Sequence, residues 1–395
     1  MEILKALFGN VAYLDVWQVI MWAIGGVLIY LAIKKEMEPT LLLPMGFGAI
    51  LVNLPMSGVV HRYFQAGLPI TEAKYNELLA SGATDITFEP GIIDELFEMG
   101  IANEMFPLLL FIGIGAMIDF GPVLSNPKLM LFGAAAQFGI FFTLSMASFF
   151  FELKDAASIA IIGAADGPTS IYVANMLHSN YTGAIIVAAY SYMALVPVVQ
   201  PPVIKLITTK KERLIRMPYE QKNVSKLTRI MFPIIITAIT GIFSPKSLAL
   251  VGFLMFGNLI RECGVLGSLS ETAQNALANL VTILLGITVA TKMQAVYFLK
   301  LETLIILGLG LIAFIFDTVG GVFFAKFLNL FSKKKINPMI GAAGISAFPM
   351  SARVVHKMGL AEDNQNFLLM HSIGANVSGQ IASVIAGGLI LNLVG

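Results

Sequence analysis

The sequence predicts an all-α polytopic membrane protein of about ten spanning helices, built from inverted-topology repeats that each carry a re-entrant helical hairpin. Three observations predict it: an apolar composition, a segregation of loop charges, and two apolar segments interrupted by Gly, Pro and polar residues. Apolar residues make up 57% of the 395 residues and charged residues 12%, with a mean hydropathy of +0.82. Soluble domains carry about 25% charged residues to cover their surface. The formal net charge of +1 leaves no basic surplus for nucleic acid. A single cysteine, Cys263, excludes an internal disulfide framework and any multi-cysteine metal site, and four histidines suit a transition-metal enzyme poorly.

The elements follow in chain order. Met1–Asp15 has no small-residue cleavage site after its apolar run, and reads as an amphipathic lead-in rather than a signal peptide. A bilayer core of about 30 Å needs about 20 apolar residues per helix. Residues 1–60 thus hold the lead-in and two spans near 16–33 and 40–60, with Trp17 and Trp22 placed for an interfacial belt. Residues 61–104 form an acidic segment. Residues 105–204 form a first repeat: spans near 105–121 and 129–151, a hairpin at 156–177, and a span near 183–204. A basic loop at 205–229 is followed by linking spans within 230–271, near 230–243 and 246–262. Residues 272–394 form the second repeat, with spans near 272–292 and 300–325, a hairpin at 337–356, and a span near 364–394.

Loop charges orient these spans. The 205–229 loop holds eight Lys and Arg residues from Lys205 to Arg229 against Glu212 and Glu220, and Lys34–Lys35 and Lys333–Lys335 are smaller clusters of the same kind. Positive loops stay in the cytoplasm, which places 61–104 outside. Alternating spans satisfy every cluster only if 156–177 and 337–356 each enter and leave on one side. Both segments carry a Gly-Ala-Ala triplet followed by a polar, glycine- or proline-containing break. By the loop charges they enter from opposite faces, and transporters place ion sites where such repeats meet.

Irregular backbone at membrane depth must line protein or a watery cavity. Gly167–Pro168 cannot continue a helix, so the carbonyls before it lose their partners. Free carbonyls and the negative end of a half-helix dipole suit a hard monovalent cation, and Asp166 adds a full charge at the break. A carboxylate in hydrocarbon costs about 2.5–3.5 kcal/mol on insertion scales and by default marks function. The alternative is a hairpin tip in water, with Asp166 only a helix cap. The second hairpin offers Asn337, Gly341, Gly344, Ser346, Ser351 and Arg353. Its neutral oxygens suit Na+, although Asn337–Pro338 reads equally well as an N-cap with proline at N1. Arg353 either snorkels to the surface or binds a carboxylate as a fork. Tyr192, in the middle of its span, is either a packed core residue or a proton donor. Asn376 and Ser378 lie on a small-residue helix, where the amide would hydrogen-bond across to a neighbour. Asp119, before Gly121–Pro122, reads as a helix-end residue.

Five blocks also resemble a known family in its own order: residues 113–127, 163–175, 189–206, 337–355 and 371–384. They are similar to the β subunits of the sodium-pumping, biotin-dependent decarboxylases acting on oxaloacetate, methylmalonyl-CoA or glutaconyl-CoA. The resemblance spans about residue 40 to the end and does not choose among those substrates. It implies a complex in the bacterial cytoplasmic membrane with a carboxyltransferase α subunit, a biotin carrier protein and a small membrane subunit, and a β trimer. Carboxybiotin on the carrier would be decarboxylated at the β subunit, with outward Na+ transport and a proton consumed. Asp166, Tyr192, Asn337, Gly341, Ser346, Arg353 and Asn376 match positions implicated in Na+ binding, proton supply or carboxybiotin handling. Asp166, Tyr192 and Arg353 would be catalytic. Asp166, Asn337, Gly341, Ser346 and Asn376 would hold Na+, and Arg353 with Ser346 the carboxybiotin. The competing functions are a Na+-coupled carboxylate transporter with no biotin step, and a membrane anchor for a soluble decarboxylase.

Overall fold

The computed structural model describes residues 9–36, 39–218 and 223–395. The first eight residues of the expected lead-in, and Glu220 and Lys222 of the basic loop, lie outside them. The chain divides into two compact units: Met1–Phe106 with Thr282–Lys300, and Pro107–Val281 with Leu301–Gly395. Among the described residues seven helices are long and apolar enough to cross a membrane, or eight if the pair Ile92–Ala102 and Met105–Met117 counts as one span. Two expected spans are shorter helices, Pro39–Val52 and Leu248–Glu262.

In the first unit, α1 (Val16–Lys35) begins at Asp15, whose backbone N–H donates to the Gln18 side chain at 3.1 Å. It ends at Glu36 in the left-handed conformation, after Lys34 and Lys35 have complemented the helix C-terminus. α2 (Pro39–Val52) packs on α1. Asn53 follows it as a buried polar knot: its Nδ2 donates to the Ala49 and Met293 carbonyls, both at 2.8 Å, and its Oδ1 accepts from Ala295 N at 2.8 Å. The acidic segment has regular structure of its own. It holds an antiparallel three-stranded sheet in the order β2-β1-β3, formed by β1 (Arg62–Gln65), β2 (Leu68–Ile70) and β3 (Ile86–Glu89), with α3 (Glu72–Ala80) between the last two. Tyr63 pairs with Ile70 on one side and Phe88 on the other, so its ring meets those of Phe88 and Tyr75. The strands are too short to show a period in sequence. α4 (Ile92–Phe97) closes the segment, and Asp94 holds the His61 backbone and ring at 2.5 and 3.0 Å.

The second unit is helical. Its main elements are α5 (Met105–Met117), α6 (Met130–Ala136), α7 (Phe138–Ala147), α8 (Leu153–Ala160), α9 (Gly167–Met176), α10 (Thr182–Ile207), α11 (Lys226–Phe243), α12 (Leu248–Glu262), α13 (Leu301–Phe331), α14 (Met339–Ala342), α15 (Met350–Glu362) and α16 (Leu369–Val394), with shorter helical turns between them. Two segments are broken where the sequence expects hairpins: α8 and α9 across 153–176, and α14 and α15 across 339–362. Each is followed by a helix of 26 residues, α10 and α16. A third break was not anticipated: the span expected near 129–151 divides at Gln137 into α6 and α7. Within its apolar window α16 is 67% buried and α11 only 11%, which makes α16 central and α11 peripheral to this unit. Small residues set the spacing around the centre, as in membrane helix pairs generally. A Cβ on Gly341 would lie 2.0 Å from the Gly321 carbonyl oxygen, so α14 meets α13 backbone to backbone. The described part of the basic loop is clamped to the end of α15: Arg213 pairs with Glu362 at 2.6 Å and Arg216 with Asp363 at 2.5 Å. The Arg216 guanidinium holds the Asp363 carboxyl below its ordinary range.

Candidate cation site

The site grows out of the first break. α8 tightens into a 3-10 turn at Ile161–Ala164, Ala165 adopts the left-handed conformation (φ 50°), and Asp166 is extended before Gly167–Pro168 restarts the helix. Proline has no N–H to donate and cannot lie within a continuous helix there, so Asp166 becomes the N-cap of α9. Its Oδ1 accepts from Thr169 N at 3.3 Å and its Oδ2 from Thr169 Oγ1 at 2.8 Å.

The second break meets the first. Between α14 and α15 the chain is not helical from Ala343 to Pro349. There Ser346 N donates to the Ala164 carbonyl at 3.0 Å, and Ser346 Oγ donates to Asp166 Oδ2 at 3.1 Å. α16 crosses both. Asn376, Gln380 and Ser383 fall on one face of it, four and three residues apart. Ser383 Oγ donates to Asp166 Oδ2 at 2.8 Å and lies 3.1 Å from Ser346 Oγ, and Gln380 Nε2 reaches the same carboxylate oxygen at 3.3 Å. Asn376 Nδ2 holds the second break by the Ile345 carbonyl at 2.7 Å, and its Oδ1 is buried without a partner.

Asp166 is only 3% exposed, and every group that bonds to it is neutral. The tip is therefore not in water, and capping α9 is one of the carboxylate's contacts rather than its whole role. A buried ionised carboxylate with no counter-ion costs several kcal/mol. The hydroxyls of Thr169, Ser346 and Ser383 each keep lone pairs free to turn to a cation. With the carboxylate they make a hard, all-oxygen donor set with one negative charge, which suits a monovalent hard cation. No group of three His, Cys, Asp or Glu side chains that could hold a divalent or transition metal occurs among the described residues.

The structure brings Ser346 onto Asp166 and Asn376 onto the backbone beside Ser346, and places the other expected residues elsewhere. The Tyr192 hydroxyl donates to the Leu307 carbonyl of α13, and its ring lies against Gly310. The tyrosine beside Asp166 is Tyr190: its ring closes on Gly167, where a Cβ would lie 2.3 Å from it, and its hydroxyl is buried without a partner. Asn337 has its polar atoms engaged, Nδ2 with the Arg213 and Ile215 carbonyls at 2.9 Å and Oδ1 with Met339 N at 3.1 Å. Gly341 is the contact with Gly321 described above. Arg353 is exposed on α15, and its guanidinium pairs with no described residue. Asp119 is the helix-end residue expected, accepting from Gly121 N at 2.8 Å. Ser378 bonds the Leu129 carbonyl of the stretch leading into α6. Thr169, Tyr190, Gln380 and Ser383 were missed from sequence. The spacing of Asn376, Gln380 and Ser383 was the available signal, hidden because serine on a small-residue face reads as packing.

Broken helices meeting at a buried, counter-ion-free carboxylate inside a multi-pass helical protein define the class of a cation-translocating membrane subunit. The chain belongs to the family of the Na+-transporting oxaloacetate decarboxylase beta subunit, whose model matches residues 17–394. It is 49% identical over 387 residues to the methylmalonyl-CoA decarboxylase subunit beta of Propionigenium modestum, covering 97% of this chain and 96% of that one. It is 45% identical over 431 residues to the oxaloacetate decarboxylase beta chain of Klebsiella pneumoniae, with 100% and 99% covered. A methylmalonyl-CoA decarboxylase subunit beta of Veillonella parvula is 46% identical over 376 residues, with 95% and 92% covered.

Proposed function

We propose that this chain decarboxylates carboxybiotin presented by a partner protein and couples that step to outward Na+ transport through the Asp166 site. The observation that carries the reading is the buried carboxylate where the two breaks meet, ringed by neutral oxygens. In this reading Asp166, Ser346 and Asn376 hold Na+, with Thr169 and Ser383 completing the donor set. Asn337 and Gly341, committed to backbone contacts, hold the second broken segment in register for it. The two halves act as inverted repeats whose broken segments enter from opposite faces, and their relative movement alternates access.

Loss of CO2 from carboxybiotin breaks the N–C bond and leaves the electron pair on the ureido nitrogen, which takes up one proton. The unpaired guanidinium of Arg353 fits the carboxylate as a fork. Tyr192 is the proposed proton donor, from a buried position on α10. The complex is proposed to contain a carboxyltransferase α subunit, a biotin carrier and a small membrane subunit, with the β chain as a trimer in the bacterial cytoplasmic membrane. Membership in the decarboxylase family favours this over a free-standing carboxylate transporter, and an intramembrane carboxylate serves no purpose in a mere anchor. The test is Asp166→Asn in the purified complex. Na+-dependent decarboxylation should be lost while carboxyl transfer to biotin continues. Retained Na+ activation at an ordinary half-saturating concentration would return Asp166 to a helix cap.

A further inference from the structure

The reading above uses one buried carboxylate of the second unit, and the unit contains another. Asp317 lies in the middle of α13, the longest helix at 31 residues, and is fully buried. An ionisable residue at that depth is a functional candidate by default. Its two oxygens are treated differently. Oδ1 accepts from Ile140 N at 3.2 Å, with the Gly139 amide also on it. Both amides lie in the first turn of α7 after Gln137, and the Ile140 N–H is shared with the Gln137 carbonyl at 3.1 Å. Oδ2 has no partner and is buried. It faces Gly163 in the first broken segment, where a Cβ would lie 3.0 Å from it and 2.8 Å from Ala313 Cβ. The Asp166 break begins three residues further on.

This setting differs in kind from the Asp166 site. Na+ needs several oxygens, and no other side-chain oxygen bonds Asp317; its neighbours are amide donors, a glycine and an alanine. A proton needs only the one free oxygen. We infer that Asp317 is the proton-binding carboxyl of the pump, carrying on Oδ2 a proton whose uptake and release is tied to movement of the first broken segment at Gly163. This rests on the decarboxylase reading and deepens it: Asp166 exchanges Na+, and Asp317 exchanges the proton that the reaction consumes. Gly310, Ala313 and Asp317 share one face of α13 at spacings of three and four residues, and the Tyr192 ring lies on Gly310. Two helical turns, about 10 Å, separate the levels of Tyr192 and Asp317. Few other titratable groups compete. α6, α7 and α14 contribute none, and Asp155 of α8 is committed to Ser179 and Asn180 at 2.7–3.2 Å. The groups to reckon with are Tyr192 and Asp166.

Asp317→Asn separates this role from capping, because an amide keeps the Oδ1 acceptor for Gly139 and Ile140 and removes only the exchangeable proton. The purified wild-type and variant complexes are compared in three measurements: radioactive Na+ binding, the pH profile of carboxybiotin decarboxylation, and the infrared band of a protonated carboxyl group. The variant should bind Na+ with a half-saturation within twofold of wild type. It should turn over at least tenfold more slowly, with a flattened pH profile, and lack a protonated-carboxyl band present in the wild type. A wild-type rate and profile would reduce Asp317 to a cap and overturn the inference, as would a loss of Na+ binding, which would make it a ligand. The infrared band is independent of activity. Its absence from wild type overturns the inference even if no Na+-dependent decarboxylation is seen, an outcome that by itself would fail the parent reading instead.

Discussion

Ser383→Ala is the sharpest test of the cation site, because it removes one oxygen that the fold brings to Asp166 and changes little else. Ser383 is fully buried on α16, and its hydroxyl donates to Asp166 Oδ2 at 2.8 Å and touches Ser346 Oγ at 3.1 Å. A hydrogen bond to a charged group contributes about 1.5–3 kcal/mol. Taking an oxygen ligand of Na+ as of that order, at about 1.4 kcal/mol per tenfold, its loss corresponds to roughly a 10- to 100-fold rise in the half-saturating Na+ concentration. The rate at saturating Na+ should be nearly kept, since Ser383 is placed to touch the ion and not the carboxybiotin. The assay is a Na+ titration of decarboxylation in the reconstituted complex. Ser378→Ala is the matched control on the same helix, for its hydroxyl serves the Leu129 and Ala375 carbonyls. It should cost about 1 kcal/mol of stability and leave the Na+ titration unmoved. Equal titration curves for Ser383→Ala and wild type would refute a cation site at Asp166.

Tyr192→Phe removes a second hydrogen bond from a Leu307 carbonyl that α13 still engages, and should lower stability by about 0.5–1.5 kcal/mol; if its proton is used, decarboxylation of preloaded carboxybiotin slows by about 10²–10⁴-fold, and near-normal turnover would make it packing. Tyr190→Phe breaks no hydrogen bond, so melting should be unchanged while the half-saturating Na+ concentration rises; an unmoved titration would separate Tyr190 from the ion. Arg353→Lys keeps the charge but loses the fork, so more carrier protein should be needed for half-maximal rate, and an unchanged carrier dependence would leave Arg353 an ordinary surface cation. In a Cys263→Ala background, a membrane-impermeant thiol reagent on intact cells should label exposed Ser81→Cys but not exposed Ser225→Cys; the reverse pattern would overturn the orientation and the inverted repeat with it.

What the sequence made legible followed from physics that acts over short distances. Gly167–Pro168 breaks a helix wherever it occurs, and Asp166 beside it announced a buried charge, so the centre of the site was readable without coordinates. Helix breaks fall within both segments that the sequence singles out, 156–177 and 337–356. The sheet at 62–89 was not readable, because strands of three and four residues carry no usable period and the acidic composition suggested only a polar segment. No proline marks the break at Gln137, and glycines at 133 and 139 are common in membrane helices without breaking them; the Ile140 amide there is shared between the Gln137 carbonyl and Asp317, 177 residues away. Tyr192 and Tyr190 show the limit most clearly. They are two residues apart on one helix and so point to different faces, and nothing in the local sequence says which face meets Asp166.

That separation bears on how coupling could work. Asp166 and Tyr190 lie on one side of the first broken segment, at its tip. Gly310 and Asp317 lie along α13, with the Tyr192 ring of α10 on Gly310, against Ile162 and Gly163 of the same segment. A few residues, from Ile162 to Gly167, thus touch both the oxygen-rich site and the apolar carboxyl. Ala165 within them holds a left-handed backbone that a non-glycine residue adopts only when its surroundings impose it. A change of charge at either carboxylate therefore acts on the same short piece of chain. On the proposed reading, Na+ at Asp166 and a proton on Asp317 would need no long pathway between them, since the 3-10 turn that ends at Ala164 carries contacts of both.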